Sequence, residues 1–392
     1  MAEQIANKGY FGLVKETTKG VAVTPSVYVP MYDDAFMTDV ALDEDAPIIG
    51  NKFARYQSLL GMRKHGGEAT LLAEANTAAH LINMVLTKGS DSGGGPYTHP
   101  FTLSTTADPK SYTIDIQKGQ LVERYMGAEI SELDIDFDKN KMLFKAKFSA
   151  LKSFIVREIS AVSGVGPYTV TLKTNYDPNP TDGLVVGDVI RVRLTAGTTI
   201  DATIATVPNG QTFTCVANVS SAADGDLVYL RAATPSYTLR APFMWALTEF
   251  RFGSNAAAAL AATQTRVEQG SKWKLIHKFE DDAGAQRSGA FDPAALVRTL
   301  GDIEVDLKKF FDTPEDMNKF LTSQSKALVI RHFSEDGLYE LRVTLDSYKF
   351  KENPVKSKSG EILYAEGKVI PDYNTSNGQS WDVKVLNALT TV

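Results

Sequence analysis

The segment 302–321 constrains the fold most. Ile303, Val305 and Leu307 alternate with Asp302, Glu304 and Asp306, the period-two pattern of a strand with one buried and one wet face. Asp312-Thr313-Pro314-Glu315 follows. A capping side chain, a proline at the first helical position and an acid in the first turn predict a helix start. Met317, Phe320 and Leu321 would give that helix one apolar stripe.

The same order occurs earlier in the chain. Ala69, Leu71 and Ala73 alternate with Glu68, Thr70 and Leu72, and Asn76-Thr77 precedes a short helical pattern carrying Leu81, Met84, Val85 and Leu86. Thr77 maps to Thr313 and Leu81 to Met317 at one offset (313 − 77 = 236, 317 − 81 = 236). Met142-Leu143-Phe144 maps to Ile362-Leu363-Tyr364 at a smaller one (362 − 142 = 220). Each half then reads strand, short helix, strand, long hairpin. The alternative is two unrelated strand–helix junctions, because the halves share pattern rather than residue identity.

Between the halves the composition shifts. Residues 155–236 are poor in Lys and rich in Thr, Val, Ala, Gly and Asp, and short β-type runs recur at Tyr168, Val185, Thr203, Thr212 and Leu227. Close spacing of short strands predicts a small all-β barrel or sandwich. The expected class is mainly β (α+β) with short flanking helices. The expected division is 1–154 and 237–392 as two halves, with 155–236 inserted between them.

Two segments predict exposed chain. Pro25 and Pro30 make residues 1–40 an extended edge or arm rather than a central strand. Residues 43–67 carry few strand signals and hold Lys52, Arg55, Arg63 and Lys64 among Pro47 and four glycines. A loop this long needs a function or a partner.

The chemistry-bearing residues point away from catalysis. His65, His80, His99, His277 and His332 are scattered, and no Gly-x-Ser-x-Gly elbow occurs. The loop Gly89 to Pro96 lacks the Gly-Lys-Ser/Thr ending of a phosphate-binding loop. Asp134, Asp136 and Asp138 have the spacing that opens a calcium loop, but Lys139 and Lys145 stand where that loop needs Gly and Glu. An acidic strand face accounts for them better. No enzyme, cofactor or metal is expected. One cysteine, Cys215, excludes an internal disulfide. A net charge of −6 argues against a general basic footprint for nucleic acid. No apolar run is long enough to span a bilayer, and Met1-Ala2-Glu3-Gln4 begins no signal peptide. Folding in a cytoplasm is expected.

The opening GLVKETTKGVAVTPSVYVP, the segment from Leu60 to Gly67 and the strand–helix unit together resemble the tail tube (major tail) proteins of long-tailed bacteriophages. Lys15-Glu16-Thr17 with Gly20 and Pro25, and the step from Arg63 to Gly67, look like that family's opening. The resemblance implies a duplicated β-sandwich tube domain with flanking helices. It implies a virion protein, assembled in the host cytoplasm, whose rings stack into a conduit for DNA. With two tube domains per chain, homotrimers would form pseudo-hexameric rings. Expected partners are further copies and the tape measure, tail-tip and terminator proteins, with DNA passing unbound and no membrane involved. Asp134, Asp136, Glu304 and Asp306 become candidates for the lumen, where acids repel phosphates. Lys52, Arg55, Arg63 and Lys64 become candidates for contact between stacked rings. The other classes are a capsid-decorating or surface-layer subunit, and a hydrolase or carbohydrate-binding module.

Overall fold

The computed structural model describes residues 9–45, 57–104, 106–175, 177–280, 291–310, 315–352, 355–356, 364–374 and 378–392. The chain begins with β1 (Phe11–Lys15), β2 (Val27–Val29), β3 (Met31–Asp34), β4 (Met37–Asp45) and β5 (Gln57–Leu72), then the helix Ala75–Asn83. Next come β6 (Thr87–Lys88), β7 (Tyr97–Thr102), β8 (Tyr112–Lys118), β9 (Leu121–Asp138), β10 (Lys141–Ala150) and β11 (Lys152–Phe154). Short strands follow: β12 (Arg157–Ser163), β13 (Tyr168–Leu172), β14 (Val189–Arg193), β15 (Thr199–Thr206), β16 (Thr212–Cys215) and β17 (Leu227–Leu230). The remainder holds β18 (Phe243–Gly253), the helix Ala256–Ala261, β19 (Lys272–Phe279), β20 (Arg298–Phe310) and the helix Glu315–Leu321. β21 (Lys326–Ser334), β22 (Glu340–Glu352), β23 (Val355–Lys356), β24 (Tyr364–Pro371) and β25 (Trp381–Asn387) close it. With 56% strand and 6% helix the protein is mainly β.

Eight antiparallel strands close a barrel. Its pairing runs β9–β19–β20–β24–β22–β21–β18–β10 and back to β9. Closure removes sheet edges that would otherwise invite another chain. The alternation read from the sequence sets what faces inward. Leu133, Ile135, Trp273, Leu275, Ile303, Val305 and Leu307 are all buried, and each such side chain contributes about 1.5–3 kcal/mol when fully buried.

Two series of six strands share this architecture. One pairs in the order β1–β8–β9–β10–β5–β4. The other pairs in the order β18–β21–β22–β24–β20–β19. One continuous core joins them, holding Phe11, Leu71, Ile82 and Phe144 together with Trp273, Ile330, Val343 and Val383. The short strands pair in their own cycle, β12–β13–β16–β15–β14–β17 and back to β12. Their core includes Tyr10, Val122, Met126 and Phe154 from the first stretch.

Several expectations are corrected. β1 lies between β2 and β8, with Phe11 and Leu13 fully buried, so it is an inner strand rather than an arm. Pro25 and Pro30 fall just outside β2 and cost no ladder bond. The expected loop 43–67 is strand at both ends, because β5 gains partners in β4 and β10 that local propensity cannot show. Gly66 and Gly67 sit where β5 changes partner from β4 to β3. Their φ values of 137° and 153°, and Cβ positions that would lie 2.3 Å from Phe148 O and Ala35 O, admit no side chain. The first helix starts earlier than expected. Glu74 caps it, accepting from the backbone N–H of Asn76 and Thr77, and all nine helical residues are buried. In the helix Glu315–Leu321, Met317 and Phe320 are half-buried, but Leu321 is 73% exposed and leaves the apolar stripe. The expected cap at Thr313-Pro314, the hairpin tip at 357–360 and the residues Ile362-Leu363 lie outside the described residues.

Candidate functional site

The four acids singled out in the sequence come together on one continuous sheet face. β19 lies between β9 and β20, so Lys274 stands opposite both Asp134 and Glu304, and Lys272 stands opposite Asp306. Because Ile135, Val305 and Leu307 turn inward, strict alternation turns Asp134, Asp136, Glu304 and Asp306 outward. Asp136 and Glu304 are exposed, and Asp134 and Asp306 are half-buried.

Lysines interleave with these acids. Asp136 pairs with Lys145, Asp134 with Lys272 at 3.5 Å and Glu132 with Lys274. The Lys145 hydrogen bond holds the Asp136 carboxyl below its usual range, and Lys274 does the same for Glu132. Burial raises Asp134 despite the neighbouring Lys272 and Lys274. A polar depression of ≈ 380 Å³ opens here, lined among others by Glu68, Glu132, Asp134, Lys145, Lys147 and Lys274. The face is therefore a ladder of alternating rows, not a purely acidic surface. Sequence reasoning missed the lysine rows, although Lys145-x-Lys147 and Lys272-x-Lys274 carry the same period-two signal as the acids.

The candidate inter-ring residues are placed differently. Arg63 and Lys64 belong to β5 rather than to a loop, and Lys52 and Arg55 lie outside the described residues. Arg63 meets the second half directly. Its backbone N–H donates to Phe291 O at 2.9 Å, and its guanidinium lies 3.7 Å from Asp292. Asp292 also bonds His65 at 3.0 Å. Burial would raise the Asp292 carboxyl, but His65, Arg63 and Arg157 together hold it below its usual range.

The five histidines each have a separate polar partner. His65 bonds Thr38, His80 bonds Tyr112, His99 bonds Asp91, His277 bonds Val85 O and His332 bonds Trp273. Among the described residues no three His, Cys, Asp or Glu side chains are grouped to hold a metal ion. Asp134, Asp136 and Asp138 lie along the single strand β9. Glu16 of the opening motif is a buried knot. It accepts from Gly20 N, Gly127 N, Ser111 Oγ and Thr113 Oγ1 at 2.8–2.9 Å, tying the first turn to β8 and β9. Among the described residues no helix is long and apolar enough to cross a membrane. No family model and no curated protein matches this sequence.

Proposed function

We propose that this chain is the major tail tube subunit of a long-tailed bacteriophage. In this reading it carries a duplicated tube domain, assembles as homotrimeric rings, and its stacked rings form the conduit through which DNA leaves the virion. The observation that carries the reading is the double occurrence of one pairing order, β1–β8–β9–β10–β5–β4 and β18–β21–β22–β24–β20–β19. In each series a helix follows the strand β5 or β20. In this reading the two series, joined edge to edge through β9 and β19, would be two of the six units of a ring. Tape measure, tail-tip and terminator proteins would meet the same rings at the bore and the ends.

Electron micrographs of the purified protein test this. Tubes with three chains per ring are expected. Six chains per ring would remove the trimer while keeping the tube. Protein that never forms tubes at any concentration would remove both.

A further inference from the structure

The contact between the two units within the chain shows how a second copy would bind. β9 pairs with β8 as far as Ala128, then departs and lays Glu132–Asp134 along β19. β22 pairs with β21 as far as Tyr348 and departs in the same way. Its next residues, Lys349 to Glu352, pair with β24 on one side. Among the described residues no strand takes the other side. β4 stands to β5 as β19 stands to β20, at the end of its series. Among the described residues β4 pairs only with β5, and none of them covers its outer edge.

The two end strands differ in cover. β19 buries Trp273 and Leu275 completely. β4 leaves Met37 57%, Val40 38% and Leu42 64% exposed. A nine-residue edge strand of mixed apolar and acidic residues, MTDVALDED, that exposes Met37, Val40 and Leu42 and has no described partner on one side is a template for another strand. We propose that β4 of one copy pairs with the outer edge of β22 in the next, repeating between chains the β9–β19 contact made within one. This rests on the reading of the chain as a self-assembling subunit with two equivalent units. The occupant is a second copy of this chain because the complementary open edge, β22 beyond Tyr348, is on the same molecule. The contact is head-to-tail, so it propagates around a ring instead of closing a dimer.

Two measurements test it. Val40→Lys with Leu42→Lys places two charges on the open edge, at exposed positions that the fold tolerates. The expected result is a chain with wild-type circular dichroism that no longer assembles. Separately, Val40→Cys chains are mixed with Glu352→Cys chains and treated with a bismaleimide; Cys215 is buried. Dimers should form in the mixture and not within either variant alone, and a chain carrying both substitutions should give ladders. If the lysine variant assembles like the wild type, or if assembled Val40→Cys chains cross-link to each other, the β4–β22 contact is overturned while the tube reading survives. Wild-type protein that remains monomeric overturns the tube reading itself, and the contact with it.

Discussion

At the scale of single residues, the closest coupling of sequence to stability is at His332. It is completely buried against Trp273, whose Nε1–H donates to His332 Nε2 at 2.9 Å. With that nitrogen accepting, Nδ1 carries the proton and donates to Thr248 Oγ1 at 2.9 Å, and Thr248 donates onward to Met244 O. Burial pulls the His332 pKa down to about 3. Burial, with Lys15 and His99 adding to it, pulls His80 down to about 4. Both rings are neutral in the fold, and both protonate in the unfolded chain below about pH 6.5. The unfolded state then binds more protons. The stability these rings contribute is present above about pH 6.5 and is lost as pH falls toward the folded values. Urea midpoints of the unassembled chain should therefore drop between pH 7 and 4. His332→Gln keeps an acceptor for Trp273 and cannot titrate, so it should flatten that acid slope. His332→Leu leaves the indole N–H unpaired and should cost about 1–3 kcal/mol at pH 7. An acid slope unchanged in His332→Gln would assign it to other groups.

At the scale of elements, the short-strand ring 157–230 is fastened to β8 and β9 by one buried cluster. Arg124 donates to Asp115 at 2.7 and 2.8 Å, to Gly183 O at 2.9 Å and to Asp188, which also accepts from Thr24. Burial opposes the charge on Arg124, but the two carboxylates outweigh it and keep the guanidinium charged. Arg124→Met leaves both carboxylates buried without a countercharge and should cost about 3–5 kcal/mol in urea unfolding. A segment inserted between two halves would be expected to be removable. Its core, however, takes in Tyr10, Val122, Met126 and Phe154. Deleting 155–236 should therefore yield little soluble protein unless those four positions and Arg124 are made compatible with solvent. A bare deletion that folds and assembles normally would show that the shared core contributes nothing. The strands β13 to β17 of this ring were legible because Lys-poor, Thr- and Val-rich runs mark short strands. Its attachment was not, because Arg124 and Asp188 are sixty-four residues apart in sequence and neither sits in a distinctive motif. The hairpin of β9 and β10 was legible for the opposite reason: its alternation is strict and local. The strand character of 57–67 was hidden by glycines, which mark the change of pairing partner rather than a loop.

At the scale of the whole molecule, the question is what the charged ladder across β10, β9, β19 and β20 faces. It runs unbroken from one six-strand series to the other. Its acid rows, Glu132 to Asp136 and Asp302 to Asp306, flank Lys272 and Lys274, so a DNA phosphate near it would meet both signs within a few ångströms. In the proposed tube, a bore lined this way would pass DNA because neither attraction nor repulsion dominates, and reversing one sign should upset that balance. Lys at positions 134, 136, 304 and 306 leaves Glu132 and Asp302 as the acids of these rows and makes the face predominantly basic. The cost to the fold is modest. Each reversed cross-strand pair loses roughly 0.2–1 kcal/mol, and the apolar residues between them stay inside the barrel. Rings and tubes should therefore still form, while added phosphate contacts, each weakened by salt, should retain DNA. Virions carrying the fourfold variant should assemble normally, release their genome slowly at low salt and recover as salt is raised. Asn and Gln at the same four positions should fall between the variant and the wild type. Genome release that matches the wild type at every salt concentration would place Asp134, Asp136, Glu304 and Asp306 on the outer wall of the tube.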